Sequence, residues 1–135
     1  MLGIVIVTHG DLAQGLLQAA RMIMGEVPGT SAVALQEEKG IESLQGEIEK
    51  ALSGVDQGDG VLILVDLVGA SPFNVSSQLA AAREDVEVVT GVNLPMLLET
   101  ALQRDSQSFD ELIETALDAG RASIHTLTDL LNASS

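Results

Sequence analysis

The sequence predicts an α/β domain in which helices cover both faces of an open, doubly wound, mostly parallel sheet of four strands. Four short apolar runs alternate with longer segments of helical period, which is the pattern of parallel βαβ units. Two of the runs, LGIVIV and GVLILV, are apolar on both faces and predict central strands covered by helices on each side. The four runs are Leu2–Val7, Ser31–Leu35, Gly60–Val65 and Val86–Thr90.

The first two helices are predicted from capping signals and apolar spacing. Asp11 and Gln14 have the spacing of a capping box at the start of the first helix, and Gly25 is suited to end it. The second helix has apolar residues at helical spacing and glutamates on its polar face. Its apolar positions are Ile41, Leu44, Ile48, Leu52 and Val55.

Three later helices follow from similar signals. Ser71 and Pro72 predict the start of a third helix, because Ser is a favoured N-cap and Pro is preorganised for the first helical position. A fourth helix begins near Pro95. Ser108 and Glu111 form a second capping-box pattern, which heads a fifth helix.

The chain length of 135 residues suits a single domain. We predict a folded domain over residues 1–123 and a tail over residues 124–135. The segment Ile124–Leu131 in this tail is compatible with a helix or with a strand. The apolar runs near the N-terminus are only about six residues long and lack a basic flank, so we expect no signal peptide, no membrane insertion and a cytoplasmic location.

The composition excludes several classes of function. The chain has 20 Asp and Glu residues against 6 Lys and Arg, a formal net charge of −14, two Phe, and no Trp, Tyr or Cys. Nucleic-acid binding needs a basic surface and, for single strands, aromatic side chains on which bases stack, and this chain has neither. Direct sugar recognition usually relies on large aromatic rings that pack against the sugar, so two Phe argue against it. The absence of Cys excludes thiolate nucleophiles and Cys-ligated metals.

Polar residues follow both central strands at their carboxyl ends, where open α/β sheets bind ligands. His9 comes directly after the first strand and Asp66 directly after the third. If these strands are neighbours, the Asp66 carboxylate accepts a hydrogen bond from one imidazole nitrogen and leaves the other with a free lone pair. His9 is therefore a candidate nucleophile.

Each candidate residue also has a plainer interpretation. His9 alone is explained as a loop residue, Asp66 as a turn residue and Ser71 as a helix cap. Because all three lie at the carboxyl ends of the two most buried strands, we give the functional interpretation about the same weight as the plainer one. The other histidine, His125, lies far along the chain, which makes a metal site a poor interpretation and predicts a surface residue.

The positions of the six Lys and Arg residues argue against a nucleotide as the substrate of His9. None of the six adjoins His9 or residues 66–74 in sequence, and a P-loop motif is absent, so nucleotide kinase chemistry is disfavoured. A single phosphoryl group still fits, held by backbone N–H groups, by the N-terminal ends of the helices that begin near Asp11 and Ser71, and by the Ser71 hydroxyl.

Four motifs, in order and spanning nearly the whole chain, resemble the IIA domain of the mannose/fructose/sorbose class of the bacterial phosphoenolpyruvate:sugar phosphotransferase system (PTS). They are VTHGDLAQGLL at the start, LVDLVGASPFN in the middle, GVNLPMLLE at Gly91–Glu99 and SFDELIETALDAGR at Ser108–Arg121.

The resemblance implies a protein-histidine phosphotransferase component. His9 would accept a phosphoryl group from phospho-HPr on Nε2 and pass it to a histidine of a separate IIB component, which serves the membrane components IIC and IID. Asp66 matches the carboxylate paired with the ring, and Ser71 matches the serine at the phosphoryl-binding helix start, with Gly10 and Ala70 beside the group. No metal or cofactor is expected. The resemblance also implies a homodimer with a C-terminal antiparallel strand exchanged between subunits.

The chain departs from the family pattern in one loop. Family members often have two glycines before SPFN, whereas this chain has Gly69 and Ala70, and Leu67 and Val68 replace aromatic or hydroxyl residues. The Ala70 methyl group would narrow the approach of the backbone to a phosphoryl group while leaving N–H donors available.

Two alternatives remain open at this point. The phosphotransfer subunit of a dihydroxyacetone kinase has a similar fold and an N-terminal histidine, but it usually has Ser where this chain has Gly10. A regulatory module would instead sense the phosphorylation state through His9 without passing the group on.

Overall fold

A computed structural model describes residues 1–133 of the chain. Strands and helices alternate from the first strand to the fourth helix, and two further helices follow. The strands are β1 (Gly3–His9), β2 (Thr30–Leu35), β3 (Val61–Val65) and β4 (Val86–Thr90). The helices are α1 (Leu12–Met24), α2 (Ile41–Val55), α3 (Ser71–Ala81), α4 (Leu94–Gln103), α5 (Phe109–Ala122) and α6 (Leu127–Ala133).

The strands form one parallel sheet in the order β2-β1-β3-β4, which confirms the predicted fold class. The two runs that are apolar on both faces are the central strands, and all residues of β3 are buried. One core cluster joins the sheet to α1, α4 and α5, and a second joins it to α2 and α3. Helices therefore cover both faces, and the strand order reverses between β1 and β3.

Two predicted capping boxes have different outcomes. At α5, Ser108 Oγ accepts from the Glu111 N–H at 3.2 Å and Glu111 Oε1 accepts from the Ser108 N–H at 2.9 Å, so this box is confirmed. At α1, Asp11 is the N-cap but its side chain makes no capping hydrogen bond, so the Asp11–Gln14 box is wrong. The buried Thr8 hydroxyl takes this role and accepts from the Ala13 N–H at 2.7 Å.

The tail forms a helix in the single chain. Residues 124–126 have no regular structure, and α6 follows with no buried side chain. Of the two conformations that the sequence left open, this chain therefore adopts the helical one over residues 127–133. The exchanged strand stays a prediction, and the last two residues of the predicted tail, 134 and 135, lie outside the described residues.

Candidate functional site

His9 lies at the carboxyl edge of the sheet, at the point where the strand order reverses. It is the last residue of β1, and β1 pairs with β2 on one side and β3 on the other. Gly10 follows with a φ of 54°, in the left-handed region that favours glycine. This sharp turn ends the strand and leaves the His9 side chain 48% exposed.

Asp66 lies directly beside His9, as the sequence predicted. Its Oδ2 atom is 2.7 Å from Nδ1 of His9 and accepts from the His9 backbone N–H at 2.9 Å. The other carboxylate oxygen, Oδ1, accepts from the Leu67 N–H at 3.0 Å. Because an ionised carboxylate only accepts, Nδ1 carries the proton and Nε2 has the free lone pair.

The electrostatics of Asp66 support this assignment. The Asp66 side chain is only 11% exposed, and burial by itself raises the pKa of its carboxyl group. The hydrogen bonds from the His9 backbone and ring, together with the Coulombic attraction of the ring in its protonated form, outweigh burial, and the pKa of Asp66 lies below its ordinary value. Asp66 is therefore an anion at neutral pH, fixed against the ring.

The loop between β3 and α3 brings a helix N-terminus to the same edge. Gly69 has a φ of 87°, whereas Ala70 is extended with a φ of −96°, so the Ala70 methyl group fits this backbone without strain. Ala70, not Ser71, is the N-cap of α3, and Pro72 is the second helical residue. The predicted capping role of Ser71 is therefore wrong by one position.

This shift changes the interpretation of Ser71. Ser71 is the first residue of α3 and not the residue before it, so N-capping does not explain its presence. Ser71 instead lines a cleft of about 570 Å³ together with His9 and Gly10. Ala70, the remaining predicted phosphoryl-binding residue, precedes Ser71 but is not among the residues that line this cleft.

The other wall of the cleft is the loop between β2 and α2, which sequence reasoning missed. Residues 35–41 line it, including Lys39 and the first residue of α2, Ile41. No basic residue adjoins His9 or residues 66–74 in sequence, but the fold places Lys39 at the cleft, so a basic side chain is available there after all. The parallel pairing of β1 with β2 was the available signal, because it brings both carboxyl ends to one edge.

Residues 1–133 contain neither a cluster suited to a metal ion nor a helix that could span a membrane. No group of three or more His, Asp or Glu side chains in this part of the chain is placed to hold a metal ion. No helix in the same range is long and apolar enough to cross a membrane. His125 is exposed, as predicted.

Comparison with known proteins identifies the family of the chain. The family described as "PTS system fructose IIA component" matches residues 3–117. The chain is 40% identical over 127 residues to the mannose-specific EIIAB component of Escherichia coli K12, covering 93% of this chain and 39% of that protein. The chain thus spans well under half of the length of the EIIAB relatives that it matches.

Shorter relatives and solved structures match over most of their length. The fructose-specific EIIA component of Bacillus subtilis is 33% identical over 84% of this chain and 77% of its own. A crystal structure of an EIIA component from Streptococcus agalactiae superposes with a TM-score of 0.88 at 26% identity, covering 96% of this chain and 99% of that one. The chain belongs to the mannose/fructose/sorbose EIIA family, the phosphotransferase components of sugar phosphotransferase systems.

Proposed function

We propose that the chain is a phosphoryl carrier in which Nε2 of His9 accepts a phosphoryl group from phospho-HPr and transfers it to a histidine of a IIB component. The observation that carries this proposal is the 2.7 Å contact between Asp66 Oδ2 and His9 Nδ1, because it leaves Nε2 as the nucleophilic ring nitrogen. Membership of the EIIA family supports a phosphotransfer role. Such a role places the chain in the cytoplasm.

The transfer step needs little besides position and charge stabilisation. The Nε2 lone pair attacks phosphorus in line, the N–P bond to the HPr histidine breaks, and its electron pair returns to that imidazole. His9 gains positive charge while Nδ1 keeps its proton, and the Asp66 carboxylate stabilises the charged ring. The same geometry serves in reverse for transfer to IIB. No metal or cofactor takes part in this scheme.

The phosphoryl group on Nε2 would be bound from the α3 side. The first N–H groups of a helix lack intrahelical partners and favour anions. At α3 the N-cap residue is Ala70, whose side chain cannot cap these groups, and the Ser71 hydroxyl adds a donor in the cleft. Gly10, which also lines the cleft, has no Cβ, and Ala70 is the N-cap that leads into α3.

Exposed apolar residues around the cleft support docking of partner proteins at this edge. Leu67 and Val68 follow Asp66 and are 51% and 65% exposed. Leu12 at the start of α1 and Ile41 at the start of α2 are also exposed. Such a patch around a reactive group is typical of protein contact surfaces, and here it would receive HPr and IIB in turn.

The tail supports a homodimer as a further part of the proposal. Ile124, Leu127 and Leu131 are 80%, 71% and 62% exposed, although all are large and apolar. A second copy of the chain would cover them, with the tail changing conformation if it is exchanged. Light scattering of the full chain and of a variant ending at residue 123 tests this, because only the full chain should be dimeric.

A reconstituted relay tests the carrier function. Phosphoenolpyruvate, enzyme I and HPr are mixed with the chain, and acid-labile phosphate on the chain is measured before and after a IIB component is added. The wild type and His125→Ala, a matched control at an exposed histidine, should be labelled and then discharged. His9→Ala should stay unlabelled.

The proposal is contradicted by label retained on His9→Ala. Label on wild-type His9 that no IIB component discharges would instead indicate a regulatory module. Discharge by the ADP-binding subunit of a dihydroxyacetone kinase, with none by IIB, would indicate the kinase system.

A further inference from the structure

The cleft beside His9 holds one basic side chain that the transfer scheme does not use. Among the residues lining the cleft, Lys39 is the one Lys or Arg, and Glu37 and Glu38 lie beside it. His9 pairs with Leu35 across the sheet, and the loop that holds Lys39 begins there. In this loop the Lys39 N–H donates to the Gln36 carbonyl at 3.1 Å, which folds the chain back at the sheet edge.

The Lys39 ammonium group contacts a partner that it can leave at little cost. Its Nζ is 3.2 Å from Oε1 of Glu47 on α2, and the two side chains are 53% and 39% exposed. Exposed ion pairs contribute little free energy, because water solvates both charges and salt screens them. A lysine stem is also flexible and carries three rotatable donors.

Phosphorylation of His9 would change the charge balance in the cleft. It adds about −1.5 to −2 charges near neutral pH, next to the carboxylates of Glu37 and Glu38. The whole chain already carries a formal charge of −14. A phosphoryl group with nearly two charges attracts an ammonium more strongly than the single carboxylate of Glu47 does.

We infer that Lys39 is a phosphoryl-binding residue of this chain: when His9 is phosphorylated, Nζ of Lys39 leaves Glu47 and donates to a phosphoryl oxygen. This inference rests on the proposed function, since it requires the phosphorylated form of His9. It adds a cation to donors that are otherwise neutral, the Ser71 hydroxyl and backbone N–H groups. The exchange makes and breaks hydrogen bonds only, and no covalent bond changes.

The experiment uses a small phosphoryl donor, so that no partner protein is needed. The chain is phosphorylated with phosphoramidate, and ³¹P NMR follows the phosphohistidine signal across a pH series to give the pKa of the phosphoryl group. The variants are Lys39→Met, Glu47→Gln, the double variant and the control Lys50→Met. Lys50 is an exposed lysine that lines the adjoining groove along β2, which Lys39 and Glu47 also line, but Lys50 does not line the His9 cleft.

Lys39→Met should raise the phosphoryl pKa by about 0.5 to 1 pH unit, because a cation in contact with the group favours its dianion. Glu47→Gln should lower this pKa, since Lys39 is then no longer shared, and it should have no effect in the Lys39→Met background. Lys50→Met should titrate as the wild type does.

Two results would overturn the inference in different ways. A phosphohistidine signal whose pKa is unchanged in Lys39→Met, or changed no more than in Lys50→Met, would remove the role of Lys39 alone. Failure to phosphorylate His9 in every variant would overturn the proposed function together with this inference.

Discussion

One carboxylate oxygen of Asp66 contacts His9 twice, at the ring nitrogen Nδ1 at 2.7 Å and at the backbone N–H at 2.9 Å. The backbone contact fixes the carboxylate to the end of β1, and the ring contact fixes the tautomer. Because both contacts come from the same residue, the orientation of the ring and the position of the strand end are set together. The ring of a residue that lines the cleft is therefore held in one orientation by its Nδ1 contact, with Nε2 left free of Asp66.

The first prediction concerns the charge of Asp66. Asp66→Asn keeps the shape of the side chain but removes the anion that stabilises the charged ring, so the rate of His9 phosphorylation by phospho-HPr should fall by about 100-fold or more. Rapid-quench measurement of labelled phosphate checks this. Asp11→Asn is the matched control at the same edge, because the Asp11 side chain makes no capping hydrogen bond, and its rate should stay near that of the wild type. Equal rates in the two variants would contradict the role of Asp66.

The second prediction concerns stability against pH. The pKa of Asp66 in the folded chain lies below the ordinary value of 3.8, so its contribution to stability is present above about that pH and is lost as the pH falls through the lowered pKa. The difference in free energy of unfolding between wild type and Asp66→Asn should therefore be larger at pH 7 than at a pH well below 3.8. Urea unfolding at the two pH values measures it. A difference that is unchanged or grows in acid would be inconsistent with a lowered pKa.

The third prediction separates binding from helix capping at two serines. Ser71→Ala should slow phosphoryl transfer by about tenfold or more, since a hydrogen bond to a charged group is lost, while stability changes by less than about 0.5 kcal/mol. Ser108→Ala should do the reverse, losing about 1 kcal/mol of stability with its capping box and leaving transfer unchanged. Urea unfolding and quench kinetics on both variants decide the matter. If Ser71→Ala destabilises the chain as much as Ser108→Ala does, Ser71 is a structural residue.

The fourth prediction concerns the net charge of −14. If this charge steers a basic docking face of HPr, the second-order rate of phosphorylation should fall as ionic strength rises from about 0.01 to 0.15 M, where the Debye length shortens from about 30 to 8 Å. Stopped-flow or quench kinetics at several salt concentrations give the slope. A rate independent of salt would leave the acidic surface with a role in solubility only.

The sequence predicted most of the fold because the signals were local and unopposed. The apolar runs set the four strands, and the central strands were identified by being apolar on both faces. The Asp11–Gln14 and Ser108–Glu111 patterns are alike, yet only the second forms a capping box. At α1 the Ala13 N–H donates to the hydroxyl of Thr8, which lies on the preceding strand. Sequence spacing does not reveal this contact.

The site was predictable in part from the parallel arrangement of the strands. His9 and Asp66 were placed together because parallel strands bring their carboxyl ends to one edge of the sheet. Lys39 was missed because its proximity depends on how the loop after β2 folds back, which the turn between Gln36 and Lys39 decides. Ser71 was assigned to the wrong helical position because Ala70, although a poor N-cap by type, has extended backbone there.

NMR of the chain phosphorylated by phospho-HPr measures directly whether Nε2 of His9 carries the phosphoryl group, as we propose. The ³¹P signal, correlated with the ring ¹⁵N and ¹H resonances, identifies both the histidine and the nitrogen that is bonded to phosphorus. We expect a single Nε2-phosphohistidine at His9, with Nδ1 still protonated. A phosphoryl group on Nδ1 of His9, or on His125, would contradict this expectation.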